Sequence, residues 1–376
     1  MIGLRAIAAA GLAAALSAAA TRPAAPQAAV SGGAPFPRDV SEPHPADHGA
    51  APRSSRAKPK PHEPAVTKGM APHRPAPERP APETNTASAP AASPELDYAY
   101  GAYQRGYYLT AFGLATQKIE ATSDMKSMTL LGELYANGFG VPRDDKKAAE
   151  WYGLAADRGD REAIFALAMF RLGGRAGPAD RKEAAALLDR AAKLGHVAAA
   201  YDLGLLYLAG EVVPQDLARA AELLRSAADA GSPEAQYALA TLYKEGRGVA
   251  KDVNEAARWL AAAAAADNTD AQVEFAIALF NGIGVPKDEA AAAALLQRAA
   301  RKGSPIAQNR LAWMLAIGRG VPPDPVAAIK WHLVSKAGGE SDPRLDDFMN
   351  KQTADVRAAG EKAAKPFLDS IKASHT

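Results

Sequence analysis

Aspartate returns every 36 residues along this chain, as Asp144, Asp180, Asp216, Asp252, Asp288 and Asp324, and that period constrains the fold more than any other feature. The same spacing links Ala148, Ala184, Ala220, Ala256, Ala292 and Ala328, and Gly138, Gly174, Gly210, Gly246, Gly282 and Gly318. It also links the small pairs Ala155-Ala156, Ala191-Ala192, Ala227-Ala228, Ala263-Ala264 and Ala299-Ala300, with Ser335-Lys336 as a degenerate sixth. A fixed period in the range of about 20–50 residues marks an array in which each unit is one supersecondary element. Six contiguous units occupy residues 124–339.

Each unit reads as a helical hairpin. In the one that opens near Ser232, Ser232-Pro233-Glu234 supplies a capping hydroxyl and a first-turn proline, and Ala235, Leu239, Leu242 and Tyr243 follow at helical spacing. Gly246 ends this helix, and Gly246 and Gly248 supply positive-φ positions in the linker. Asp252 is placed to cap the next helix, on which Ala256, Trp259, Leu260 and Ala263 share one face. A glycine such as Gly231 or Gly303 closes the second helix. One hairpin leaves its apolar face open, so stability requires neighbours stacked into a solenoid. Ahead of the array, residues 96–123 read as a capping helical pair that holds five of the eleven tyrosines. After it, Leu345, Phe348, Met349, Val356, Phe367 and Leu368 predict a helical cap and tail over 340–376.

The N-terminal quarter is of a different kind. Arg5 followed by the uncharged run Ala6 to Ala20 has the n-region, h-region and small-residue cleavage site of a secretory signal, residues 1–20. The run falls short of the roughly 20 apolar residues that span a bilayer. The mature chain is therefore expected to have no transmembrane segment and to be periplasmic or secreted. Residues 21–95 hold 17 of the 28 prolines and almost no large aliphatic side chain, the composition of a disordered linker. His44, His48, His62 and His73 lie in that linker, where nothing fixes them as metal ligands.

Composition removes several chemistries. With no cysteine there is no disulfide framework, thiolate nucleophile or thiolate metal site. The net charge is +2, and from residue 96 onward 34 Lys and Arg face 35 Asp and Glu, which does not suit nucleic acid. Phosphate loops, zincin motifs and nucleophile elbows are missing from the sequence. His196, His332 and His375 have no partner that the sequence specifies, and the six aspartates are explained as caps. No catalytic, cofactor-binding or metal-binding residue is assigned.

One unit runs Leu131-Gly132, Tyr135, Gly138, Gly140-Val141, Asp144, Ala148, Trp151-Tyr152, Ala155-Ala156 and Gly159, and this pattern resembles the Sel1-like repeat family, relatives of the tetratricopeptide repeats. Departures are local: Arg171, Leu279 and Leu315 in the Tyr slot, Ala176 and Val212 for the second linker glycine, and Asp267 for the closing glycine. The resemblance implies an all-α, right-handed solenoid of helix-turn-helix units acting as a non-enzymatic protein-binding scaffold. Some exported members look like periplasmic inhibitors of sensor kinases that control exopolysaccharide and motility. A cysteine-rich branch with penicillin-binding activity is a poor match to a chain without cysteine.

The positions two and six residues after the opening small residue of each first helix hold Thr129/Glu133, Phe165/Met169, Tyr201/Leu205, Tyr237/Thr241, Val273/Ile277 and Asn309/Trp313. By analogy with related repeats this row lines the concave side. Phe165, Met169, Tyr201, Leu205 and Tyr237 then make an apolar strip able to anchor a peptide, although aromatic residues at this spacing more often belong to the core between repeats. The expected function is a scaffold for another envelope protein, conceivably a sensor domain. Export also fits a peptidoglycan- or glycan-acting module or a secreted host-interaction factor.

Overall fold

The structure is a computed structural model and describes residues 97–374. The expected signal segment, the linker 21–95 with its four histidines, and His375 lie outside the described residues.

Among the described residues, sixteen α-helices follow one another and there is no strand. α1 (Tyr98–Gln104) and α2 (Tyr108–Thr122) precede six hairpins. These pair α3 (Met125–Asn137) with α4 (Asp145–Asp157), α5 (Arg161–Gly173) with α6 (Arg181–Lys193), and α7 (Val197–Ala209) with α8 (Leu217–Asp229). The array continues with α9 (Pro233–Glu245) and α10 (Val253–Ala265), α11 (Thr269–Asn281) and α12 (Glu289–Arg301), then α13 (Pro305–Ile317) and α14 (Pro325–Ala337). α15 (Pro343–Asn350) and α16 (Ala354–Ser374) follow. From α1 to α15 each helix packs on the next, α16 packs on α14, and the result is the all-α solenoid that the period predicts.

The periodic residues act at the helix ends. All six repeated aspartates are N-caps whose carboxylates accept backbone N–H groups of the first turn of α4, α6, α8, α10, α12 and α14. Their own N–H groups donate back to the first helix, Asp144 to the Tyr135 carbonyl at 3.0 Å and Asp288 to that of Leu279 at 2.9 Å. Because the Tyr slot is used through its backbone, Arg171, Leu279 and Leu315 can occupy it without loss of this bond. A second capping series, Asp124, Asp160, His196, Ser232, Asn268 and Ser304, opens the first helices at the same period. Its residue types differ from unit to unit, Ser232 and Ser304 each being followed by a first-turn proline.

The second linker glycine is required by close approach. Gly248 has φ +71°, and a Cβ there would collide with the Leu217 carbonyl; Gly284 faces Val253 and Gly320 faces Glu289 in the same way. Two of the departures keep the left-handed conformation without glycine: Ala176 has φ 63° and Asp267 has φ 70°. At Asp267 the carboxylate accepts from Gln272 Nε2 at 3.0 Å and pairs with Lys302 and Arg298, contacts that offset the backbone strain.

Small residues let the helices close up. Alanines such as Ala148, Ala184, Ala220, Ala292 and Ala328 are fully buried, and a Cβ on Gly132 would lie 2.6 Å from the Tyr152 ring. In the second half of the array, Gln236, Gln272 and Gln308 lie in the core and each donates Nε2–H to the carbonyl of Ala228, Ala264 or Ala300 in the preceding second helix. The corresponding earlier positions are Met128, Ile164 and Ala200, so this stitch belongs to the later units alone.

Candidate functional site

The first helices of consecutive units lie side by side, and the structure places all five strip residues on the second, third and fourth of the six. Phe165 and Met169 stand on α5, Tyr201 and Leu205 on α7, and Tyr237 on α9; all are half-buried and rest against the repeat core. They therefore take part in packing between units and also keep surface open to solvent. Further along the row, Val273 and Trp313 are buried, so the half-exposed aromatic stretch belongs to the central units.

Two of the three rings are held by the following unit. Phe165 stacks on His196, 4.2 Å between centroids and 22° between planes. His196 is 7% exposed, and its Nδ1 accepts the Ala199 N–H at 3.0 Å, which places the proton on Nε2, 3.1 Å from Glu162 Oε2. Sequence specifies no partner for this histidine, and the structure makes it the cap of α7. His332 is also buried: its Nε2 meets Asp346 Oδ1 of α15 at 2.8 Å, fastening α14 to the C-terminal helices.

Tyr237 donates its hydroxyl to Glu274 Oε1 at 3.0 Å, and Lys244 Nζ donates to Glu274 Oε2 at 2.7 Å. Burial, and then the Glu274 charge, raise the Tyr237 phenol above its ordinary range. Tyr201 is pushed up to about 12 by burial and by the neighbouring Asp202 and Glu234. Asp202 is pushed up to about 7 by burial alone, because no cation or donor among the described residues pairs with it. Composition and motif gave no sign of Asp202; its row, one residue beyond the aromatic one, could have been read from the period.

The second-helix side has a different relief. An open depression of about 590 Å³ lies against α8 and the loop after α9, with Glu222, Arg225, Asp229 and Val249 in its lining. Among the described residues no three His, Asp or Glu side chains are grouped to hold a metal ion, and no helix is long and apolar enough to cross a membrane.

The family model for the Sel1 repeat matches six consecutive segments, 126–160, 161–196, 197–232, 233–268, 269–304 and 305–336, over half of the chain. This chain belongs to the Sel1 repeat family. Sel1 repeat proteins are generally protein–protein interaction scaffolds, and the fold is typically non-enzymatic. Among solved structures, a Sel1 repeat protein from Oxalobacter formigenes is 25% identical with a TM-score of 0.54, covering 63% of this chain and 94% of that one. A protective antigen of uropathogenic Escherichia coli with the same repeat fold is 26% identical with a TM-score of 0.49, covering 70% of this chain and 64% of that one. A search of curated proteins finds no match to this sequence.

Proposed function

We propose that this Sel1 repeat protein is a cell-envelope scaffold that holds a segment of another protein along its first-helix face, with no chemistry of its own. The observation that carries this reading is the row Phe165, Met169, Tyr201, Leu205 and Tyr237, half-buried on three successive helices, with Phe165 held by His196 and Tyr237 by Glu274. Large aromatic and aliphatic surfaces already fixed in one rotamer lose little entropy on binding, which is the character of interface anchors. The signal-like residues 1–20 support an envelope location, and the family resemblance supports the periplasmic domain of a sensor kinase as partner.

The test is photo-crosslinking from the Tyr201 position in intact cells, with the captured protein identified and the cell fractions compared. With the crosslinker at Tyr201, a single periplasmic partner, lost when Phe165→Ala or Tyr237→Ala is added at unchanged melting temperature, is the expected result. Capture that is indifferent to both substitutions, or a protein found only in the cytoplasm, would overturn it.

A further inference from the structure

Asp202 stands in the register of Glu274, two units further on, yet the solenoid treats the two carboxylates in opposite ways. Glu274 receives the Tyr237 hydroxyl and the Lys244 ammonium, both from the unit before it. The unit before Asp202 presents Phe165 where Tyr237 stands and Leu172 where Lys244 stands, so the hydroxyl donor and the cation are both replaced by hydrocarbon. Nothing else among the described residues makes up the loss, since burial is the sole influence acting on the Asp202 carboxyl. The residue is nevertheless not sealed in the core, since it is half-buried beside Tyr201. The next carboxylate that Tyr201 senses is Glu234, so the local field is negative as well as uncompensated. A half-desolvated carboxylate in an apolar setting is costly while alone and becomes a strong acceptor once a cation covers it.

We propose that Asp202 receives a lysine or arginine side chain from the bound segment, filling the place that Lys244 fills for Glu274. Phe165 in the unit before, with Tyr201 and Leu205 on the same helix, stands beside that position in the repeat register, so the recognised segment is apolar with one basic residue at a fixed place. The cation sets register and selects against segments with an acidic or neutral residue there, which would leave the charge of Asp202 buried and unpaired. This inference rests on the first-helix face being the docking surface proposed above.

A phage-displayed random dodecapeptide library panned against the full chain separates the two ideas. The expected result is enrichment of apolar peptides carrying Lys or Arg at one fixed position. Replacing that residue by norleucine should weaken binding at least tenfold for the native chain and less than twofold for Asp202→Asn, with circular dichroism confirming that the variant is folded. Enriched peptides that bind through Tyr201 and Tyr237 but show no basic position would overturn the Asp202 assignment and leave the docking face standing. Failure to enrich any peptide whose binding depends on Tyr201 or Tyr237 would overturn the docking face, and the assignment with it.

Discussion

His196 caps α7 with a ring nitrogen: its Nδ1 accepts the backbone N–H of Ala199 at 3.0 Å, where the neighbouring units use the oxygen of Asp160 or Ser232. The same ring stacks on Phe165 and turns Nε2 toward Glu162, so one side chain starts a helix and joins two units. Helix-capping needs an acceptor at a fixed distance and not a particular element, which is why imidazole can serve.

His196→Ala should therefore destabilise the array by about 1 kcal/mol or more, the cost of a lost cap plus the lost stacking. His196→Asn or His196→Ser should recover the capping part only. Urea denaturation gives the totals, and hydrogen exchange at the Ala199 amide reports the cap directly. If the alanine and asparagine variants are equally stable, the histidine is not acting as a cap.

The second linker glycine offers a paired experiment. Gly248→Ala introduces a Cβ at positive φ against the Leu217 carbonyl and should cost well over the ~1 kcal/mol of the left-handed strain alone. Ala176→Gly removes that strain where the chain already tolerates it and should stabilise by about 1 kcal/mol, less the added flexibility of the unfolded chain. Thermal denaturation of the two variants should show shifts of opposite sign.

The period made the architecture legible before any coordinates, because Asp144 and its five counterparts are selected by one backbone geometry that the chain repeats. The second capping series is less legible for the converse reason: Asp124, His196, Ser232 and Asn268 satisfy one hydrogen-bond requirement with different atoms, so no single residue type runs through all six positions. The core glutamines were likewise invisible, since Gln236 resembles a surface residue until the Ala228 carbonyl is seen against it. The aromatic strip was readable by position, but whether Tyr237 was free or tied to Glu274 depends on the neighbouring unit, two superposed patterns that a single register cannot separate. Asp202 is distinguished by the partners it lacks, Phe165 and Leu172 standing in place of a hydroxyl and an ammonium, and a missing partner shows only when units are compared in three dimensions.

Acid stability should depend on the Arg175–Asp145 pair, which joins the linker of one unit to the second helix of the unit before. Arg175 Nε lies 3.1 Å from Asp145 Oδ2, and the same guanidinium donates to the Ala136 carbonyl at 2.8 Å. Arg175 first, and then Arg143, hold the Asp145 carboxyl well below the usual carboxylate range. A depressed folded value means the pair contributes fully above about pH 4 and loses its contribution as pH falls through the folded value. Arg175→Ala should cost about 0.5–1 kcal/mol at pH 7, as the pair is partly exposed, and should make the loss of stability below pH 4 shallower. Urea midpoints at pH 7, 4 and 2.5 check this; parallel curves for the two proteins would show that the pair does not set the acid response.

Asp202 should give the opposite pH dependence. An unfolded aspartate titrates near 3.9, whereas burial lifts this one to about 7. Between those values the native chain holds a proton that the unfolded chain has released, so stability falls as pH rises from about 4 to about 7 and is level beyond. Asp202→Asn keeps the shape and removes the charge. It should match the native protein at pH 4 and exceed it above pH 7, by about 1–2 kcal/mol once the solvent contact of the carboxylate is allowed for. Melting temperatures at pH 4, 5.5, 7 and 8.5 test both the sign and the window. A variant no more stable than the native chain at pH 8.5 would mean that the carboxylate is already compensated without a ligand. A basic peptide bound at Asp202 should abolish the difference, because the cation restores to the native chain at high pH what the substitution supplies to the variant.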